Sequence, residues 1–309
     1  MASLPLSSGT ARARRYAQWT PVLPHVLLFV LGTVWGLQFT LLKVATDASL
    51  DEASILAVAM GLMATIFLAA TAFTRTWFRP TWQHVRFFLL SGLFGFVLPL
   101  GGVILAAREI SAGLIVLFEA LTPVFALAIA AAFRTEPVTR RRILAIAFGL
   151  LSVLAVGGPA AFGLGGISLV GLGFALFVPA VCALDCFYVA AFWPSDLRPL
   201  QVVTGEAVAG AFLSALCLLS VGDPAPLFHS WTIGHWALAL FVPISVLEAY
   251  LYFYLVRRSG AVFVSLGSLI SLFAGIFWGI VLIGETHPPT VWLAVGLATL
   301  ALYLALRKD

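Results

Sequence analysis

The chain has 309 residues, of which 62% are hydrophobic and 10% are charged, and its formal net charge at pH 7 is +4. Its mean hydropathy is +1.08. A water-soluble globular domain carries about 25% charged residues, so this composition excludes that class and predicts a membrane protein.

Apolar runs of about 20 residues recur along the chain, and each is long enough to cross the ~30 Å hydrocarbon core of a bilayer as a helix. A cleaved signal peptide is the competing interpretation of residues 1–45, but the apolar stretch is long and no small-residue cleavage site follows it. We therefore expect a cytoplasmic tail over residues 1–21 and an all-α membrane protein with ten transmembrane helices. The predicted spans are 22–45, 53–74, 85–107, 111–133, 141–158, 168–192, 199–221, 234–256, 261–284 and 290–306.

Basic residues are concentrated on one side of these spans. With the N-terminus inside the cell, fifteen of the seventeen Lys and Arg residues fall in cytoplasmic segments, and only Lys43 and Arg108 fall on the outer face. The positive-inside rule therefore predicts a multi-pass protein of the cell membrane with both termini in the cytoplasm. Because topology accounts for the basic pI of about 9.2, no nucleic-acid partner is predicted.

The two halves of the chain repeat each other at an offset of 149 residues. AREISAGLIVL (107–117) aligns with VRRSGAVFVSL (256–266), and Glu136 aligns with Glu285. Each half, 22–158 and 168–306, then holds five spans, and because five is odd the second half enters the membrane in the opposite sense. Inverted repeats are typical of secondary transporters, which place the substrate site near the membrane midplane between the repeats.

Four segments carry a pattern of small, aromatic and capping residues: WGLQFTLLK (35–43), ALTPVFALAIA (120–130), AYLYFYLVRRSGAVFVSLGSLI (249–270) and LIGE (282–285). They resemble the two EamA-type repeats of the drug/metabolite transporter superfamily. The resemblance implies two inverted five-helix repeats around a central cavity, with export or exchange of a small metabolite, amino acid or drug-like solute. In the first half, Thr135 and Glu136 stand where the family usually has a Gly-Glu pair.

Four acidic residues lie inside the predicted spans: Glu119, Asp185, Glu206 and Glu248. A charged residue at the bilayer centre costs about 2.5–3.5 kcal/mol, so four facing lipid would cost about 10–14 kcal/mol. That cost is comparable with the whole stability of a typical domain, about 5–15 kcal/mol. We therefore expect these acids to face a cavity or the protein interior, where they are paired or exchange protons. An acidic cavity suits a cationic or zwitterionic solute, or proton antiport.

Two of the acids, Glu119 and Glu206, also have an interpretation without a functional role. Glu119 lies four residues before Pro123, which frees the Glu119 carbonyl, so its side chain could satisfy a kinked backbone. Glu206 lies close enough to the inner edge of its span to reach cytoplasmic water. Asp185 and Gln38 fall at similar places in matching spans of the two halves, which favours a cavity-lining role for both. Glu248 precedes the aromatic run AYLYFY.

Two further candidates are Trp35 and Lys43. Trp35 lies well inside a span, where it either stacks against a solute or simply packs against neighbours. Lys43 lies near the outer end of the first span, where it either extends its ammonium group to the interface or serves as a gate or a contact to a solute carboxylate.

Other functional classes lack their usual motifs. The sequence contains no nucleophile elbow, phosphate loop or nucleotide motif, and its histidines show no zinc-ligand spacing, so we expect no enzyme, cofactor or metal site. We predict a secondary transporter that works by alternating access, with protons as one candidate coupling ion. A channel or uncoupled facilitator is the main alternative. A structural or sensory membrane protein is a third, but it would have no need for four intramembrane acids.

Overall fold

The computed structural model describes residues 22–48, 50–132, 139–161, 167–228, 231–259, 263–264 and 266–306, and this described part of the chain contains no strand. The predicted N-terminal tail and the Thr135-Glu136 pair lie outside the described residues. The first half contains α1 (Val22–Asp47), α2 (Glu52–Phe73), α3 (Trp82–Gly92), α4 (Leu98–Glu109), α5 (Ala112–Glu119), α6 (Thr122–Ala132) and α7 (Arg140–Ala161). The second half contains α8 (Leu169–Phe192), α9 (Pro199–Val221), α10 (Ile233–Ser259), α11 (Gly267–Ile283) and α12 (Pro289–Leu306).

These helices occupy all ten predicted segments. Within the described part of the chain, seven helical stretches are long and apolar enough to cross a membrane, and Ile143–Pro159, Gly267–Ile283 and Pro289–Ala305 are apolar but shorter. Large apolar side chains such as those of Phe29 and Leu154 are more than half exposed, as expected for a surface in contact with lipid. The protein is therefore a multi-pass membrane protein, and the count of ten crossings stays a prediction.

Two spans change their backbone geometry partway along. α3 continues into α4 through five residues of π-helix, Leu93–Val97, in which the Leu98 N–H donates to the Leu93 carbonyl. α5 and α6 are separated by a turn at Ala120 and Leu121. Single-turn π segments and broken helices inside membranes are frequent at functional sites, so both features direct attention to the centre of the molecule.

Helices of the two halves pack against each other throughout. α1 packs on α10 and α11, while α8 packs on α4 and on α5–α6; α2 packs on α9, and α7 packs on α12. If each span is exchanged with the span five places away, the contacts of α1 with α10 and α11 become the contacts of α8 with α4 and α5–α6. The α2–α9 and α7–α12 contacts become themselves. Such an exchange is what two related repeats would produce, although the inverted repeat itself stays a prediction.

The contact between α1 and α11 is close because small residues meet there. A Cβ atom added at Gly36 would lie 2.5 Å from the Gly275 backbone nitrogen and 2.7 Å from the Ser271 carbonyl oxygen. Small residues spaced four apart allow two membrane helices to approach backbone to backbone. Another face of α1 carries the side chains at 35, 38, 39 and 42, whose spacing of three or four residues turns them together towards the interior.

Candidate functional site

A central cavity lies between helices of both halves and has two adjoining compartments of about 180 Å³ each. We call them outer and inner after the membrane faces predicted from the sequence. The wall of the outer compartment is mainly apolar and includes the polar side chains of Gln38 and Ser245. The inner compartment adds polar groups, including Thr122, Asp185 and Glu206. Both compartments are lined by Trp35, Gly95, Phe96, Glu119, Cys182 and Glu248.

Six of the seven predicted site residues border this cavity. The fold brings all four intramembrane acids to it, from α5, α8, α9 and α10. Their roles in binding a solute or a proton stay predictions. The six residues are Trp35, Gln38, Glu119, Asp185, Glu206 and Glu248.

Glu119 turns its carboxyl group towards the cavity rather than to its own backbone. The backbone carbonyl that Pro123 leaves free accepts a hydrogen bond from the Thr122 hydroxyl at 2.7 Å. The Glu119 side chain is buried, with the residue 4% exposed, and its Oε2 atom has no hydrogen-bond partner among the described residues. The kinked backbone therefore does not need this carboxyl group, which removes the structural interpretation suggested by Pro123.

Asp185 rests against the π segment of the third span. A Cβ atom added at Gly95 would lie 2.9 Å from the Asp185 Oδ2 atom, so the missing side chain at Gly95 makes room for the carboxylate. The other oxygen, Oδ1, is buried without a hydrogen-bond partner in the described part of the structure. The π segment and the glycine thus place an acceptor at the wall of the inner compartment.

Glu206 is buried in the protein instead of reaching the cytoplasmic surface. The residue is 4% exposed, and its Oε1 atom finds no hydrogen-bond partner among the described groups. α9 approaches α3 closely at this level, because a Cβ atom added at Gly92 would lie 2.9 Å from the Glu206 carbonyl oxygen. Close packing therefore holds the Glu206 backbone beside the inner compartment.

Gln38 is oriented by a hydrogen bond from the opposite half of the chain. Its Oε1 atom accepts from the Ser245 hydroxyl at 3.0 Å, and that hydroxyl also lies 2.9 Å from the Phe241 carbonyl oxygen. The Gln38 Nε2 atom is buried and without a hydrogen-bond partner in the described chain. The outer compartment therefore presents an unused amide donor near Glu119 and Glu248.

The charge of the cavity is of one sign. None of its described lining residues is Lys, Arg or His, whereas four are Asp or Glu. Like charges that share a poorly solvated site disfavour simultaneous ionisation. Such a cavity can hold protons, a cation, or one in exchange for the other.

Lys43 does not reach the central cavity. Its ammonium group donates to Asp47 Oδ1 at 2.8 Å and to the Ala107 carbonyl at 2.7 Å, which links the outer ends of α1 and α4. It lines a second pocket of about 400 Å³, together with Glu109 and Glu285. We call this space the outer pocket.

Glu285 makes a contact that the sequence did not predict. Its carboxylate accepts from the Ala112 N–H at 2.6 Å and from the Gly113 N–H at 3.0 Å. His287 Nε2 lies 3.6 Å from its Oε2 atom. A carboxylate suits the positive end of a helix dipole, so the α11–α12 connection is attached to the start of α5. The motif LIGE marked the residue, and Gly284 supplies the left-handed turn before it, at φ 69°, but nothing in the sequence pointed to its partner.

Residues 23–158 match the model of the EamA-like transporter family. This match confirms the predicted resemblance to the EamA-type drug/metabolite transporters and covers the first of the two predicted repeats. A solved structure described only as "Crystal structure of protein" is 18% identical to this chain, with a TM-score of 0.59 over 90% of this chain and 97% of that one. At this identity the likeness shows the fold alone. No curated protein matches the sequence.

Proposed function

We propose that this multi-pass membrane protein, whose first half matches a family of transporters, is a secondary transporter of a small organic solute. The observation that carries the proposal is the meeting of all four intramembrane acids at one cavity between the two halves of the chain. A purely structural protein has no use for this arrangement, because each carboxyl group buried in the membrane costs stability.

The proposed architecture has ten crossings in two inverted repeats, 22–158 and 168–306, in the cell membrane with both termini in the cytoplasm. The exchange symmetry of the helix contacts supports the repeats, and the distribution of basic residues supports the orientation. The shorter helices fit as well, because α11 has 17 residues, the lower limit of about 17–25 for a membrane-spanning helix.

The proposed mechanism is alternating access with a carboxyl group as the coupling element. Glu119 and Glu248 border both compartments, so either can respond to a solute that enters from one side and leaves by the other. One of the acids holds a proton when the cavity is empty and releases it when the solute binds. Gln38 and Trp35 orient the solute, and Asp185 and Glu206 serve the inner side.

The outer pocket is proposed as the closure of the outer side. The hydrogen bonds of Lys43 to Ala107 and of Glu285 to Ala112 and Gly113 join helix ends above the cavity. Opening to the outside would require these bonds to break, and closing would restore them. Lys43 therefore contributes to opening and closing the outer side and does not contact the solute in the central cavity.

The test is solute flux in proteoliposomes with an imposed pH gradient. Amino acids, nucleobases and cationic drugs are screened on the wild type, Glu119→Gln and Asp185→Asn. Asp223→Asn is the control, because that acid is exposed and lines neither the cavity nor the outer pocket. We expect saturable flux that follows the gradient, at least tenfold weaker coupling in one cavity variant, and no change in the control. Unlabelled solute trapped inside the vesicles should accelerate the uptake of labelled solute, because a carrier exchanges one for the other. A channel would show no such acceleration, so its absence would overturn the carrier mechanism.

A further inference from the structure

We propose that the solute is a small organic cation, an amine or quaternary ammonium ion that carries one apolar or aromatic group and no carboxylate. This inference rests on the proposed transport function and assigns the substrate class of the same cavity. Charge balance, unpartnered acceptors, aromatic walls and cavity size each contribute to it.

Charge balance comes first. The described lining residues offer four carboxyl groups and no basic side chain, and the ammonium group of Lys43 is hydrogen-bonded elsewhere. In a site of low dielectric constant, an added anion is repelled by any ionised carboxylate, and a neutral solute leaves that charge uncompensated. A cation supplies the missing counter-charge, and it competes with protons for the same oxygens.

The unpartnered acceptors point the same way. Glu119 and Glu206 are each more than nine-tenths buried, and each has a carboxyl oxygen with no hydrogen-bond partner among the described residues. Asp185 is only partly buried as a residue, but its Oδ1 atom is buried and has no hydrogen-bond partner in the described chain. Buried acceptors of this kind require a donor or a positive charge. A protonated amine provides both, and a quaternary ammonium ion provides the charge.

The aromatic walls favour an organic cation over a metal ion. Trp35 and Phe96 line both compartments, and Tyr252 lines the inner one. Aromatic faces attract ammonium groups and also bury the apolar part of a ligand. Within the described chain, no group of three His, Cys, Asp or Glu residues has the geometry to hold a metal ion.

Size and the remaining donor narrow the class further. Each compartment holds about 180 Å³, below the 300–1,000 Å³ or so of sites for drug-sized ligands, so a solute held within one compartment is of single-ring size. The unused Gln38 Nε2 amide can donate a hydrogen bond to a hydroxyl or carbonyl oxygen of the solute. A solute carboxylate there would share the outer compartment with Glu119 and Glu248, and this repulsion argues against amino acids as solutes.

The experiment compares three probes of similar shape in counterflow: benzyltrimethylammonium, zwitterionic phenylalanine and anionic 3-phenylpropionate. Proteoliposomes are loaded with one unlabelled probe, and uptake of the same labelled probe is measured for the wild type, Glu119→Gln, Glu248→Gln and the control Asp223→Asn, an exposed acid that lines neither the cavity nor the outer pocket. We expect uptake of the cation only, at least tenfold reduced in the two cavity variants and unchanged in the control. The glutamines keep the size of the side chains, and thermal unfolding checks that each variant is folded.

Three results would overturn the cation proposal. Uptake of phenylalanine or phenylpropionate instead of the cation would refute it while leaving the transport function intact. Cation uptake that is equal in wild type and cavity variants would show that the cation does not use this cavity. Absence of uptake for all three probes would also refute it, and the transport function would then be judged by the pH-gradient screen alone.

Discussion

Replacing Glu285 should detach the α11–α12 connection from the start of α5. The Glu285 side chain is 8% exposed and accepts two backbone hydrogen bonds, at 2.6 Å from Ala112 and 3.0 Å from Gly113. A hydrogen bond to a charged group contributes about 1.5–3 kcal/mol, and a carboxylate at a helix N-terminus adds about 0.3–1 kcal/mol. Glu285→Gln keeps one acceptor oxygen and should lose roughly 2–4 kcal/mol, whereas Glu285→Ala loses both bonds and roughly 3–7 kcal/mol.

The assay is thermal unfolding of the purified protein in detergent, followed by circular dichroism. Glu109→Gln is the control, because the exposed Glu109 carboxylate accepts a hydrogen bond from the Ser168 hydroxyl at 2.7 Å and none from a backbone N–H of the described residues. Since 1 kcal/mol shifts the midpoint by about 2–4 °C in chains of 150–250 residues, Glu285→Gln should melt several degrees lower and Glu285→Ala lower still. Equal midpoints for Glu285→Ala and Glu109→Gln would refute the reasoning.

Three more predictions concern single contacts. Gly36→Ala places a methyl group 2.5 Å from a backbone nitrogen of α11 and should cost about 1–3 kcal/mol; thermal unfolding checks it against Gly61→Ala, where the new methyl group meets nothing within 4 Å. Gly95→Ala should displace the Asp185 carboxylate and weaken proton-driven flux without removing an ionisable group, and flux equal to that of Gly61→Ala would contradict this. Thr122→Val should lower the free energy of unfolding by about 1–3 kcal/mol, because it leaves the Glu119 carbonyl without its hydrogen bond. Thr122→Ser keeps the hydroxyl and should unfold at the wild-type temperature.

The positions of the helices were predictable because hydropathy is a local property of the chain. The seventh span was predicted at 199–221, and α9 runs over Pro199–Val221. The fourth was predicted as one helix over 111–133, and the structure divides it at Ala120 and Leu121, next to the proline that the sequence had marked. The ninth was predicted at 261–284, whereas α11 begins at Gly267, and residues 260–262 lie outside the described part.

The site was predictable only in part. The energetic cost of an acid in the membrane was enough to select Glu119, Asp185 and Glu248, because it does not depend on partners. The π segment Leu93–Val97 was not predicted, since hydropathy carries no information on whether a backbone N–H donates to the carbonyl four or five residues earlier. The contact of Glu285 with α5 joins residues 173 positions apart, and a single sequence gives no sign of such a pairing.

The interleaved packing of the two halves has a consequence for synthesis in the cell. α1 leaves the ribosome well before its main partners, α10 and α11, which follow almost 200 residues later. At about 5–20 residues per second, translation of that interval takes roughly 10–40 s. During this time Gln38 stands in the membrane without Ser245, the residue whose hydroxyl will hold its amide. The face of α1 that packs on α10 and α11 is therefore completed only after the second half of the chain has been made.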